Sequence, residues 1–134
     1  MAEIRYLSLA DVLALYGAMM GKFGVGPASL REEGLLESAI MRPRMAAYYE
    51  EVDIIRQAVL LAVGVSQAQA FLDGNKRTAF AACDVFLRVN GIAIVGDPID
   101  LALQLEAVAE RTGNLEAATD RFESWLRVHI SPRK

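Results

Sequence analysis

A single cysteine and a single histidine, Cys83 and His129, stand in a chain of 134 residues. They cannot form an internal disulfide or supply the ligand set of a zinc site, so any metal here should be a hard cation held by carboxylates. The lone cysteine also agrees with a reducing compartment. Cys83 lies among Ala81, Ala82, Val85 and Phe86, where a buried, inert thiol is expected, since nothing nearby in sequence lowers its pKa. Basic residues are scarce too: 14 Lys and Arg against 17 Asp and Glu leave a net charge of −3, which excludes the broad basic surface that general nucleic-acid binding needs. Long apolar runs are missing. The longest, 58–65, falls far short of the roughly 20 residues that cross a bilayer. The start, MAEIRYLSLADV, has an early acid and no basic-then-apolar leader. A cytoplasmic protein is expected, with neither a nucleic acid nor a membrane as partner.

What is abundant is apolar. Hydrophobic residues make up 54% of the chain and mean hydropathy is +0.26, which implies a dense core or an apolar surface awaiting a partner. A chain of this length makes one domain, 1–134, burying roughly two-thirds of its unfolded surface. No repeat or linker interrupts it, and the periodicity is helical almost throughout. Ser8 with Asp11 starts a first helix whose stripe is Leu9, Val12, Leu13, Tyr16 and Met20, running to about Lys22. Gly24, Gly26 and Pro27 break the chain. Ser29 with Glu32 starts a second helix, with Leu35, Leu36, Ala39 and Ile40 inward, and Pro43 is expected to end it. The stretch 42–52 has no clear period and reads as a loop or short hairpin, Tyr48 and Tyr49 favouring extended geometry.

A helix over about 53–70 is apolar around most of its circumference (Ile54, Ile55, Ala58, Val59, Leu61, Ala62, Val65) and should be central. A short break follows, then a helix over about 75–90 closed by Gly91 in a left-handed cap. A short strand at 92–95, a helix over 98–113 and a last helix over 115–129 complete an all-α bundle of about six helices.

The break between the two central helices is the most informative stretch. A helix start exposes unpaired amides and the positive end of a dipole, so acids belong there. Here Lys76 and Arg77 occupy the first turn, at a cost of about 0.3–1 kcal/mol per cation, and Lys76 is one of only three lysines. Gly74 before them allows close backbone approach or positive φ. Cations set against a helix dipole beside a glycine fit an anion nest for phosphate, and Asp73 beside bound phosphate is placed to hold Mg²⁺. A plainer reading also fits: Asp73 or Asn75 caps the helix, Gly74 turns the chain, and the two cations are solvated.

The segment Gln69-Ala-Phe71-Leu-Asp73-Gly74-Asn75-Lys76-Arg77-Thr78 resembles the active-site signature of the Fic/Doc family, which in its Doc (death-on-curing) branch reads His-x-Phe-x-Asp-[Gly/Ala]-Asn-Lys-Arg-Thr. Leu30-Arg-Glu-Glu-Gly-Leu-Leu-Glu-Ser-Ala-Ile-Met-Arg-Pro43 is similar to the stretch preceding the substrate-docking flap of that family, and Phe86-Leu-Arg-Val-Asn-Gly91 to its helix ending. The likeness spans roughly 29–91. Members that move AMP carry a second glycine and a second arginine; here Lys76 replaces that glycine, and Phe80 and Ala81 offer no arginine. The Doc branch is therefore the better match.

The resemblance implies a Fic/Doc helical fold with a short flap and a toxin of a toxin–antitoxin pair. Such a protein transfers the γ-phosphate of ATP to a threonine of elongation factor Tu, stopping translation, and is restrained by a Phd-type antitoxin. It implies Asp73 as the Mg²⁺ ligand, with Gly74, Asn75, Lys76 and Arg77 around the phosphate, and Phe71 as loop anchor. A flap with Arg42, Arg44, Tyr48 and Tyr49 would align the target by strand addition.

Gln69 stands where the family has its histidine. A general base must accept the proton of the attacking hydroxyl, and a carboxamide cannot; losing such a base costs about 10²–10⁴ in rate. The chain is thus expected to bind nucleotide and transfer slowly or not at all. His129, on a separate helix, reads as a surface or helix-end histidine. Ser29-x-x-x-Glu33-Gly34 fits the family's self-inhibition motif, but its partner arginine is missing and a capping box already explains the stretch. AMP transfer to a protein and a non-catalytic nucleotide- or antitoxin-binding module are the competing functions.

Overall fold

The structure, a computed structural model, describes residues 3–22, 30, 33–71, 73–109 and 114–132. Among the described residues six helices follow one another: α1 (Leu9–Lys22), α2 (Glu33–Glu50), α3 (Ile54–Ala68), α4 (Asn75–Val89), α5 (Pro98–Ala109) and α6 (Leu115–Arg127). Two short strands, β1 (Ile92–Ile94) and β2 (Ile130–Pro132), pair antiparallel with Ala93 opposite Ser131. The fold is all-α, as expected from the periodicity.

The helix starts have identifiable causes. Ser8 and Asp11 cap each other's amides reciprocally, the Asp11 N–H donating to Ser8 Oγ at 3.1 Å and the Ser8 N–H to Asp11 Oδ2 at 2.9 Å, so α1 begins where the spacing predicts. Val12, Tyr16 and Met20 then fall on one buried face. Asp53 caps α3 by accepting the Arg56 N–H at 3.0 Å, and Asn114 caps α6 through the amides of Glu116 and Ala117. Gly91 takes φ +84° past the end of α4, the left-handed cap anticipated for it.

Two expectations fail at α2. Pro43 does not end this helix, and 42–50 is neither loop nor hairpin: α2 continues to Glu50 with Pro43 inside it, and 51–53 connect it to α3. Leu36, Ala39, Ile40, Pro43 and Ala46 are all buried and recur at spacings of three and four, so the proline lies within the stripe that faces the core. That packing outweighs the roughly 3 kcal/mol a proline costs inside a helix. Gly64 of α3 comes so near that an added Cβ would lie 3.1 Å from Ala39 Cβ. The start proposed for α2, Ser29 with Glu32, lies outside the described residues, as do 110–113, where the fifth helix was expected to end.

α3 is central as expected. It packs against α2, α4, α5 and α6, and Ala58, Val59, Leu61, Ala62 and Val65 are almost fully buried. Its one large buried polar side chain, Gln57, accepts the Tyr6 hydroxyl at 2.7 Å and donates to the Val52 carbonyl at 3.2 Å, which satisfies both ends of the amide. β2 was not foreseen: three residues ending in proline carry no period, and only pairing with β1 makes them a strand. Among the described residues no helix is long and apolar enough to cross a membrane.

Candidate functional site

The α3–α4 connection is built on α1. Phe71 is buried, and its ring stacks on Tyr16 with centroids 3.8 Å apart and planes within 4°, so the aromatic ties the loop to α1. Its backbone is held twice over. Leu30 pairs with it in an antiparallel bridge, and the Asn75 carboxamide reaches back across the turn, Oδ1 accepting the Phe71 N–H at 3.1 Å and Nδ2 donating to the Phe71 carbonyl at 2.9 Å. Asn75 thus acts as a side-chain imitation of a paired strand, and both of its polar atoms bind the loop.

Gly74 has φ +84°, where L side chains pay about 1–2 kcal/mol. A Cβ there would also lie 2.7 Å from Met20 Sδ and 3.3 Å from Tyr16 Cε1. Two independent constraints therefore demand glycine, and both come from α1 and the turn. As the residue preceding α4, Gly74 offers no capping side chain, so the opening amides of this helix have no side-chain cap and its dipole is uncompensated by an acid in the first turn. Thr78 is buried and donates its hydroxyl to the Gly74 carbonyl at 2.8 Å, fixing the turn from below.

Asp73 is exposed, and its Oδ1 accepts the Gly74 N–H at 2.8 Å; its capping bond is thus made to the turn rather than to α4. Oδ2 meets no partner among the described residues. Nor do those residues gather three His, Cys, Asp or Glu that could hold a metal together. One carboxylate with an open oxygen fits Mg²⁺ of the kind that takes most of its shell from phosphate and water; it does not fit an all-protein metal cage.

Lys76 and Arg77 are exposed at the first turn of α4, and both border a cavity of about 320 Å³ between α1, α4 and α5. Lys76 Nζ lies 3.9 Å from Glu106 Oε1 of α5, with both side chains about half exposed. Glu106 is a neighbour no local sequence signal could have disclosed, because it comes from 30 residues away in the chain. Gln69 ends α3 in the left-handed region at φ 50°, and its Nε2 donates to the Ser66 carbonyl at 3.0 Å, so the carboxamide is tied back to its own helix.

Not every expected site residue joins this cluster. Arg42, Arg44, Tyr48 and Tyr49 lie on the C-terminal half of α2, all exposed. Tyr48 and Tyr49 meet edge to face at 4.8 Å, Arg44 sits over the Tyr6 ring, and Arg42 pairs with Glu50 at 2.9 Å. Strand addition at 42–50 is therefore ruled out, because a helical backbone spends its amides and carbonyls internally. His129 stacks on Trp125 at 4.2 Å and shares a 2.7 Å contact between Nδ1 and the Trp125 carbonyl, a helix-end role as anticipated. Cys83 is buried, and burial, helped by Asp84, pushes its thiol up to about 12.

A larger, charged cavity of about 630 Å³ lies at the other end of α3. Its two guanidiniums are neutralised in place. Arg127 bonds both oxygens of Asp53 at 2.9 and 3.0 Å, while Arg56 meets Glu123 at 2.7 Å and Asp120 at 3.2 Å. The uncapped helix start belongs to the smaller cavity.

The model of the Fic/DOC family matches residues 6–87. The chain is 34% identical over 117 residues to a protein named Toxin Doc from Mycolicibacterium smegmatis (strain ATCC 700084 / mc(2)155), covering 84% of this chain and 87% of that one. It is 30% identical over 96 residues to Protein kinase doc of Escherichia phage P1, covering 71% and 75% respectively.

Proposed function

Since the chain belongs to the Fic/DOC family, in its Doc branch, we propose that it is a Doc-type toxin that binds ATP with Mg²⁺ on the first turn of α4 and phosphorylates a protein hydroxyl. The observation that carries this reading is the uncapped, glycine-led start of α4. It bears Lys76 and Arg77 where a helix ordinarily carries acids, beside Asp73 and a cavity.

In that reaction the target oxygen attacks the γ-phosphorus, the bond from that phosphorus to the β–γ bridging oxygen breaks, and ADP leaves. Lys76, Arg77 and the open amides would hold the negative oxygens as charge shifts to the leaving group. Mg²⁺ on Asp73 would neutralise phosphate charge when bound. The hydroxyl proton must also leave, and Gln69 cannot take it. Transfer by this chain is therefore slow, and Gln69→His supplies the missing base. By resemblance the target is elongation factor Tu, the restraining partner is a Phd-type antitoxin, and the place of action is the cytoplasm.

Incubating the Gln69→His protein with ATP labelled at the γ or the α position tests the reading. Label should reach elongation factor Tu from the γ position, at least 10²-fold faster than with Gln69 in place. Transfer from the α position would make the chain an AMP-transferase. No transfer from either, with nucleotide still bound, would make it a non-catalytic binding module.

A further inference from the structure

α2 packs against α3 and α1, and the side it turns away from them is oily where a surface helix ordinarily carries charge. Its inward stripe is Leu36, Ala39, Ile40, Pro43 and Ala46. The outward one is Gly34, Ser38, Met41, Met45 and Tyr48, all exposed, uncharged, and spaced by four, three, four and three residues. That is the rhythm by which one helix seats along another. Tyr48 and the adjacent Tyr49 are 78% and 70% exposed, which puts roughly 300 Å² of ring surface in water at about 200 Å² per aromatic. With Leu35, Met41 and Met45, each near half exposed, the patch reaches the upper end of the roughly 300–600 Å² that the largest patch on a monomer covers.

We propose that this face pairs with the same face of a second copy of the chain, the two α2 helices antiparallel and Met45 of each over Gly34 of the other. One register satisfies size and charge together. With positions 34 and 45 opposed, 38 and 41 are opposed as well, so every layer sets a methionine against a glycine or a serine. A Cβ added at Gly34 would meet nothing within 4 Å on its own chain, so the space above it is open to the incoming side chain. On the flank, Glu37 of each copy faces Arg44 of the other, twice over by the two-fold symmetry. Neither residue is in an ion pair within the chain among the described residues, and the Arg44 guanidinium rests on the Tyr6 ring at 4.6 Å. Sliding the pair by one heptad would set Arg44 against Arg44, and parallel packing would set glycine on glycine and tyrosine on tyrosine. The patch falls short of the roughly 800 Å² that each partner gives to a standard interface, so association in the micromolar range is expected.

Sedimentation of the full chain over a range of concentrations reads the pairing. The wild type should pass from monomer to dimer in the micromolar range. Met45→Glu, which leaves an unpaired charge in the seam, should weaken the dimer at least tenfold with its circular dichroism unchanged. The register is read by exposing Gly34→Cys and Met45→Cys proteins to a mild thiol oxidant, together and apart. The mixture should form disulfide-linked dimers and neither protein alone should, because like positions lie roughly 16 Å apart along the antiparallel seam; Cys83 is buried and takes no part. A wild type still monomeric at high micromolar concentration, a dimer indifferent to Met45→Glu, or crosslinking of either cysteine variant with itself would overturn the pairing. So would a monomeric chain that loses its hold on elongation factor Tu or on a Phd-type antitoxin through Met45→Glu, which would give the face to that partner.

Discussion

Asn75 and Lys76 are adjacent in sequence, yet their side chains serve opposite ends of the problem. Asn75 spends both polar atoms on the Phe71 backbone, whereas Lys76 is half exposed and lines the cavity. Their alanine variants should part accordingly. Asn75→Ala should lower stability in urea by about 1–3 kcal/mol, since two partly buried backbone groups lose their partners, and weaken nucleotide binding as the loop loosens. Lys76→Ala should leave stability within about 0.5 kcal/mol and weaken binding alone. Gly74 is constrained more severely. Gly74→Ala combines a left-handed φ with a Cβ pressed on Met20 and should cost roughly 2–3 kcal/mol in the same urea experiment; trimming Met20 should recover only the steric part.

At the scale of elements, most of the chain was legible because local chemistry and packing agree. The Ser8–Asp11 box, the apolar circumference of α3 and the Gly91 cap each named a boundary that the fold keeps. The site loop was legible for the same reason: cations at a helix start are locally costly, so they stand out. α2 was not, because Pro43 and the tyrosine pair argue locally for a break while burial of Ala39, Ile40, Pro43 and Ala46 argues for a helix, and the second argument becomes visible only once α3 is in place. β2 and Glu106 escaped for a related reason, since each takes its meaning from a distant partner. Pro43→Ala should thus leave helical content unchanged by circular dichroism. It should shift stability by no more than about 1 kcal/mol, as relief of the helix interior offsets the lost ring packing. A loss beyond about 3 kcal/mol would mean that the proline shapes α2 rather than being tolerated by it.

Across the whole molecule, the two ends of α3 divide the labour. The far end is closed by ions: Arg127, hydrogen-bonded to Asp53, holds that carboxyl below the usual carboxylate range, against a partial opposing effect of burial. A depressed carboxylate contributes stability that is complete above its unfolded value, near 3.8, and is lost as pH falls through its folded value. The gap in urea midpoint between the wild type and Asp53→Asn should be full at pH 7 and should narrow progressively as pH is taken below about 3.8, because asparagine keeps the α3 cap and gives up only the ion pair. The middle is closed by packing, with Cys83 sealed in it. A thiol pushed up to about 12 should resist alkylation at neutral pH until the chain is unfolded. Among the described residues, the near end combines an uncapped helix start, two cations and an open cavity.

That near end is tested most directly by following the backbone amides of Asn75, Lys76 and Arg77 by nuclear magnetic resonance while Mg-ATP is added. If phosphate settles on the start of α4, these three resonances should move together, saturably and further than those of α2 or α6, and Lys76→Ala should weaken the titration about tenfold. Silence at all three amides at millimolar Mg-ATP, or shifts confined to the charged cavity around Arg127, would contradict the placement of the phosphate site.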